Sequence, residues 1–517
     1  MSLAKRIEQS SPPRGEPFPL PQVVRTRSRF RNPIAKYRLH RTRACTACGR
    51  CVEVCGQGVH FEAGGRVLSR DHYLCLGPDC PRPCTAECPA GALSMKLNPT
   101  FEALGDYRWT ADLLVSTWYM AETGEPPKGG LEYKIGASGG GFDKLRLLFP
   151  KKGRRRASPE DIDTSIDLNR RNDGRLEIRI PVPWYGGGMS FGSVSIRTMV
   201  ARMRAAQAWN TFCSTGEGGY PERIVPYDDH VITQVATGLF GVREETIQRV
   251  RIVEFKYAQG AKPGLGGHLL GDKVTPAVAR MRESVAGRPL FSPFPFHSVY
   301  SVEDHKKHVD WIKAINPRCL VSVKVSTPTD VDMVAVGSYY AGAHIIHLDG
   351  SYGGTGAAPD IAKKNIAMPI EYAVPKVHRF LSEEGVRDKI TLIAGGGVRT
   401  AYDVAKIIAL GADGVCTGTA DLVALECVRC RNCESGRGCA RGIATTDPEL
   451  TELMEIEWAT QRIINLFAAW RMQLVDILRR LGMRSIRELV GRTDVLVHLD
   501  YLRSSRPVPI EVRKEKG

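Results

Sequence analysis

The stretch ITLIAGGGVRTAYDVAKIIALGADGVCTGTADLVALECVRCRNCESGRGC, Ile390 to Cys439, decides the fold. Its apolar run Ile390–Ala394 has the length and branching of a buried strand and stops at Gly395-Gly396-Gly397. An amphipathic helix is expected over Ala401–Leu410, then a short strand over Gly414–Thr417 and a second small-residue turn, Gly418-Thr419-Ala420. Two successive βα turns of glycine and threonine aim backbone N–H groups at one anion, which is what the last two strands of a (β/α)8 barrel offer a phosphate. Four cysteines, Cys427, Cys430, Cys433 and Cys439, follow at once and place a soft-metal site beside that anchor.

Working outward, the same rhythm of short apolar strands ending in small or polar residues begins near Leu176. Eight strands are expected: Glu177–Pro183, Thr211–Ser214, Ile232–Ala236, Ile252–Tyr257, Leu320–Val325, His344–Leu348 and the two already quoted. The fold class is therefore α/β, a TIM barrel over 176–450, with active groups just beyond the strand C-termini. A helical extension follows over 451–517, its apolar face carrying Ile463, Phe467, Trp470, Leu474 and Ile477.

Upstream, 1–43 reads as a basic arm broken by Pro12, Pro13, Pro17, Pro19 and Pro21, and 98–175 as a connector with a helix over Thr110–Thr123. The SGGGFD run at Ser138–Asp143 lacks both a feeding strand and a following Lys-Ser/Thr, so it reads as a turn. Between arm and connector, 44–97 forms a cysteine-rich module. Cys45, Cys48, Cys51 and Cys55 show the C-x2-C-x2-C-x3-C spacing of a bacterial two-cluster ferredoxin; Cys75, Cys80, Cys84 and Cys88-Pro89 form a stretched second run. In such proteins the fourth cysteine of each run serves the other cluster. That gives one [4Fe–4S] to Cys45, Cys48, Cys51 and Cys88 and another to Cys55, Cys75, Cys80 and Cys84. Zinc ribbons are the bland alternative, but no interleaved histidine pair supports them.

The chain has 517 residues, a net charge of +16 and 43% hydrophobic residues, ordinary for a globular protein of more than one domain. No apolar run is long enough to span a bilayer, and the N-terminus has no secretory core, so a cytoplasmic protein is expected. The basic runs Arg25–Arg43 and Lys151–Arg156 carry no nucleic-acid motif; a solvated or subunit-facing surface is the reading. Fifteen cysteines in a reducing compartment point to metal rather than disulfides.

The segments MSFGSVS (189–195), STGEGGY (214–220), QVATGLFGV (234–242), QGAKPGLGGHLLGDKV (259–274), YSVED (300–304), SVKV (322–325), DGSYGGTGAAP (349–359) and IATTDPEL (443–450) resemble, in order, the FMN-binding barrel of glutamate synthase. With the cysteine-rich module in front, the chain looks like the archaeal-type, split form of that family. The resemblance implies an oxidoreductase that reduces 2-iminoglutarate, formed from ammonia and 2-oxoglutarate, to L-glutamate over FMN. It implies Lys262, Glu217 and Arg282 in substrate chemistry and the ammonia route. It implies Met189, Ser190, Lys324, Gly354, Gly396, Gly397, Gly418 and Thr419 around FMN.

It also implies a [3Fe–4S] cluster on Cys427, Cys433 and Cys439. Cys430 is additional, either a fourth ligand making a [4Fe–4S] or a free thiol. Implied partners are a separate glutamine amidotransferase, a β-helix subunit and an NAD(P)H-flavoprotein or ferredoxin as reductant, in a hetero-oligomer. The barrel itself shows no Rossmann G-x-G-x-x-G after a strand. Departures from the family pattern are Leu265 and His268, where Glu and Gln are usual, and Phe294 and Phe296. His268 is either a substrate contact or a structural histidine. A sibling enzyme acting on another amine or keto acid, such as an N-methylglutamate synthase, and a non-catalytic electron-transfer subunit remain alternatives.

Overall fold

The computed structural model describes residues 18–29, 34–70, 72–127, 141–150, 157–355, 358, 361–363, 366–435 and 437–501. The run Lys151–Arg156, the first half of SGGGFD and the start of the arm lie outside them. Eight parallel strands close into a barrel: β1 Trp184–Gly186, β2 Cys213–Ser214, β3 Val231–Ala236, β4 Ile252–Lys256, β5 Leu320–Ser326, β6 Ile345–Asp349, β7 Thr391–Gly395 and β8 Gly414–Thr417. Every residue of β3, β5, β6, β7 and β8 is buried, because helices cover the outside and side chains fill the inside.

One expected strand is displaced. Pro181 and Pro183 cannot donate to a ladder, so the run from Glu177 does not enter the barrel. Instead Arg179–Ile180 pairs antiparallel with Ile166–Asp167, and Ile166 closes on Gly414 at the N-terminal end of β8. The barrel starts one step later, at Trp184.

The helices that matter for the site are α1 (Ala111–Thr123), α2 (Ile196–Ala208), α3 (Pro276–Arg282), α4 (Ala401–Leu410), α5 (Thr419–Ala424) and α6 (Ile456–Leu481). The long α6 packs against α1 and α2 and seals the barrel beside β1. Trp470 and Phe467 meet Trp184 edge-on at centroid distances of 5.8 and 5.7 Å. Buried Arg462 on α6 donates to the carbonyls of Ala424, Thr26 and Trp118, tying α5, the extended arm and α1 together. Asn465 holds the arm at Val24. No helix among the described residues is long and apolar enough to cross a membrane.

In the cysteine-rich module, Tyr37–Arg41 pairs antiparallel with Leu93–Leu97, and His60–Ala63 with Arg66–Ser69. The last part of the basic arm is thus a strand that closes this module. Lys36 fastens the module to α1 through Asp112 at 2.8 Å.

Candidate active site and cysteine clusters

The C-terminal ends of β6, β7 and β8 form a cradle lined by Gly354, Gly397 and Thr419. Gly396 and Gly397 hold φ of 91° and 100°, conformations that side-chain residues rarely adopt. A Cβ on Gly396 would lie 2.6 Å from the Gly350 carbonyl, and one on Gly354 2.5 Å from Thr419 Oγ1. Gly418 precedes the short α5, with Met189 Cε across from it.

Three arginines from separate segments complete the lining: Arg108, Arg399 and Arg429. Arg399 is fixed by Asp143 at 2.6 Å and Asp403 at 3.2 Å, and Arg429 by Asp106 at 2.9 Å. Arg108 lies over the Tyr352 ring, 3.4 Å from its centroid, and its buried Nε has no hydrogen-bond partner. A backbone cradle plus an unspent cationic donor suits an anion such as a phosphate.

The opposite half of the mouth concentrates charge around one carboxylate. Glu217, in the turn after β2, lies 3.4 Å from Lys256 at the end of β4, and its Oε1 rests on the Gly267 backbone, where a Cβ would not fit. Burial works to raise the Glu217 carboxyl, but Lys256, Lys262 and Arg282 outweigh it and hold it below the ordinary range. Arg282, the last residue of α3, is buried against Gly218. It spends Nη2 on Ser190 Oγ (3.0 Å) and the Phe191 carbonyl (3.1 Å), so it also braces the turn after β1; its buried Nε has no partner. Lys262 is buried in the loop after β4, its N–H bonded to the Gln259 carbonyl. His268 sits on a short hairpin, His268–Leu269 with Leu290–Phe291, and stacks on Phe291 at 4.6 Å and 10°. Leu265 and Phe294 are exposed, while Phe296 is core.

Beneath both halves runs a buried polar floor inside the barrel. Lys324 on β5 pairs with Asp349 on β6 at 3.2 Å, and Asp349 accepts the Gly260 N–H at 3.2 Å. Glu254 on β4 accepts from Gln234 (2.7 Å), Ser322 (3.1 Å) and His347 (3.0 Å). Burial alone would neutralise Glu254, but His347 and Lys324 pull it down to about 2. His347 is pushed the other way by burial, yet Cys416 and Glu254 bring it up to about 10. Lys324 is likewise held above its ordinary value by Asp349 and Glu254 against burial.

The structure thus brings Glu217, Lys262 and Arg282 together and puts Gly354, Gly397 and Thr419 in one cradle. Reading the sequence missed Lys256, Arg108, Arg399 and Arg429. Lys256 ends a strand, and only the register sets it level with Lys324. Arg108 carried no signal, lying in the connector far from the barrel motifs.

Among the cysteines, the Cys84 thiol is pushed up to about 11, first by burial and then by neighbouring Cys75, Cys55, Cys51 and Cys80. Cys75 is raised by burial with Cys55 and Cys80 beside it. The Cys427 thiol is raised to about 11 by burial, with Cys433 and Cys439 as its thiol neighbours, while Cys430 is exposed. Donors already point at the sulfurs: Val59 N–H at Cys55 (3.4 Å) and Ala92 N–H at Cys88 (3.3 Å). Among the described residues no three His, Cys, Asp or Glu side chains are drawn together as a single-ion site. The loop before the last cysteines winds through left-handed Glu426, Arg429 and Arg431, at φ of 68°, 61° and 66°. Arg429 therefore belongs both to this loop and to the cradle.

Fold and mouth together define a (β/α)8-barrel enzyme whose charge-bearing loops follow the strand C-termini. Residues 155–484 match the model described as the conserved region in glutamate synthase. The archaeal-type glutamate synthase (NADPH) of Thermotoga maritima is 36% identical over 479 residues, covering 87% of this chain and 92% of that one. The archaeal glutamate synthase (NADPH) of Methanocaldococcus jannaschii is 35% identical over 484 residues, with the same coverage of 87% and 92%. The glutamate synthase (NADPH) large chain of Azospirillum brasilense is 37% identical over 315 residues, 60% of this chain and 21% of that one. Among solved structures, a flavocytochrome b2 mutant with pyruvate bound aligns over 73% of this chain and 83% of that one at 16% identity and TM-score 0.44. The chain belongs to the glutamate synthase family, oxidoreductases that act on CH–NH2 donors.

Proposed function

We propose that this chain carries the synthase step of glutamate formation: 2-oxoglutarate and ammonia condense to 2-iminoglutarate, which is reduced to L-glutamate. The observation that carries this reading is the group of three cations, Lys256, Lys262 and Arg282, gathered on Glu217 beside an anion cradle in the same barrel mouth. Substrate and imine are dianions, and a preorganised cationic site stabilises them without reorganising water. Lys262 polarises the 2-oxo carbon, and Arg282 offers its unspent Nε to a carboxylate. Glu217, ionised and wedged on Gly267, holds those cations in place and accepts a proton-bearing nitrogen on the ammonia side.

FMN fits the cradle, and when bound it supplies the hydride. Gly354, Gly396, Gly397, Gly418 and Thr419 would hold its phosphate with Arg108, Arg399 and Arg429, while Met189, Ser190 and Lys324 would contact the rest of the cofactor. The donor-rich thiol sets fit iron–sulfur clusters: Cys45, Cys48, Cys51 and Cys88 for one [4Fe–4S], Cys55, Cys75, Cys80 and Cys84 for another. Cys427, Cys433 and Cys439 suit a [3Fe–4S]; Cys430, in the same loop, is an additional thiol whose ligation would make it a [4Fe–4S]. A separate amidotransferase, a β-helix subunit and an NAD(P)H-flavoprotein or ferredoxin complete the system, and cysteine clusters that hold iron–sulfur rather than disulfides suit a reducing cytoplasm.

His268 stacked on Phe291, in place of a glutamine, favours a second reading in which the keto acid differs. The test is a panel of 2-oxo acids offered with ammonium and a one-electron reductant to the purified protein. Glutamate from 2-oxoglutarate is expected. Turnover of another 2-oxo acid with none of 2-oxoglutarate selects the second reading.

A further inference from the structure

Two side chains join the two thiol sets of the N-terminal module. Arg41, ending the strand Tyr37–Arg41, donates Nη1 to Cys45 Sγ at 3.2 Å and Nη2 to Cys51 Sγ at 3.5 Å. His60, buried on the strand His60–Ala63, sets Nε2 3.2 Å from Cys84 Sγ. The two meet, with Arg41 Nη2 3.4 Å from His60 Nδ1, and Ser69 Oγ 2.8 Å from the same nitrogen. A guanidinium can only donate, so Nδ1 is the acceptor of that contact and the ring proton belongs on Nε2, aimed at Cys84. One arginine therefore does two things. It puts a fixed cation and two N–H···S bonds on the Cys45/Cys51 side, and it fixes the tautomer that gives the Cys84 side a single neutral N–H···S bond.

Backbone donors do not offset this difference, since each set receives two: Ala92 N–H to Cys88 at 3.3 Å and Ala47 N–H to Cys45 on one side, Val59 N–H to Cys55 at 3.4 Å and Gly77 N–H to Cys75 on the other. Solvent does not separate the sets: the first holds exposed Cys48 and buried Cys51, and the four cysteines of the second are half-buried. Taking up an electron makes a cluster more negative. A neighbouring cation and N–H···S bonds stabilise that form and raise the reduction potential.

We propose that Arg41 and His60 set the two clusters of the N-terminal module at different potentials. The one on Cys45, Cys48, Cys51 and Cys88 is the higher, and electrons run toward it from the one on Cys55, Cys75, Cys80 and Cys84. The step is one electron, without atom transfer: the second cluster is reoxidised as the first is reduced, and the first reduction is supplied by the external one-electron donor. This inference rests on the cluster reading of the eight cysteines.

The experiment is a potentiometric titration of the purified full chain followed by EPR, with iron and acid-labile sulfide counted in each sample. Wild-type protein is expected to show two separated one-electron waves in the module. Arg41→Gln is expected to lower the upper wave toward the lower one, and His60→Leu to lower the lower wave alone. Full cluster content with unmoved waves in Arg41→Gln overturns the inference, as does an equal shift of both waves. If Arg41→Gln does not assemble its clusters, Arg41→Lys is read instead: a smaller downward shift of the upper wave agrees, and none overturns. Wild-type protein whose iron and sulfide fall short of two [4Fe–4S] in the module removes the cluster reading itself, and the inference with it.

Discussion

The two halves of the barrel mouth handle negative charge in opposite ways. On the β6–β8 side the backbone does the work, and two of the three arginines are already matched by Asp143, Asp403 and Asp106. On the β2–β4 side three buried or half-buried cations, Lys256, Lys262 and Arg282, converge on a single carboxylate, Glu217. The first arrangement suits a resident anion held in one geometry. The second suits an anion that arrives, reacts and leaves. The cradle should therefore control cofactor retention and the cationic half turnover.

The largest expected effect lies in the floor that both halves share. Replacing Glu254 by Gln leaves His347 and Lys324 without their common carboxylate and should cost about 3–5 kcal/mol of stability, read by chemical denaturation. The pH dependence has a definite sign. Glu254 is depressed to about 2, so its contribution is full above the unfolded carboxylate value near ~4.3 and fades as pH falls toward 2. The gap between wild type and variant should be flat on the acid side from about pH 6 down to about 5 and then narrow. His347, raised to about 10, adds stability that is full below its unfolded value near ~6.5 and is lost on the alkaline side as pH approaches 10.

A smaller effect is expected at the cradle. Arg108→Ala removes the one cradle arginine that, among the described residues, makes no salt bridge to a carboxylate, with a buried Nε that has no hydrogen-bond partner. It should weaken FMN binding by about 10–100-fold, the range of a charge-assisted hydrogen bond, in an equilibrium fluorescence titration, while the substrate dependence of the reloaded protein stays unchanged. A raised KM for the keto acid in that variant would break the division between the halves. The smallest effect belongs to His268→Gln, which restores the residue usual in the family. It should move the KM for 2-oxoglutarate by only a few-fold, since the ring is already stacked on Phe291 rather than aimed by a hydrogen bond.

The barrel was legible where backbone and burial decide the outcome. Ile390–Ala394 and Gly414–Thr417 read as strands because continuous apolar runs between glycine turns have no other use in a chain of this rhythm. Glu177–Pro183 read as a strand on hydrophobicity alone, and its prolines turned it into a plug at the N-terminal end. The glycine turns of the cradle were visible; its arginines were not, because Arg108 and Arg429 reach it from outside the barrel's repeating pattern. Lys256 went unnoticed because one lysine at a strand end looks like a snorkelling stem until the register places it level with Lys324.

The most direct test of the division is an anaerobic single-turnover experiment on Lys262→Ala, mixing the photoreduced protein with ammonium and 2-oxoglutarate. The account predicts a full complement of bound FMN and flavin reoxidation slowed by about 10²–10³-fold, the loss expected for one preorganised polar group. Reoxidation at the wild-type rate, or loss of FMN from the purified variant, would contradict it.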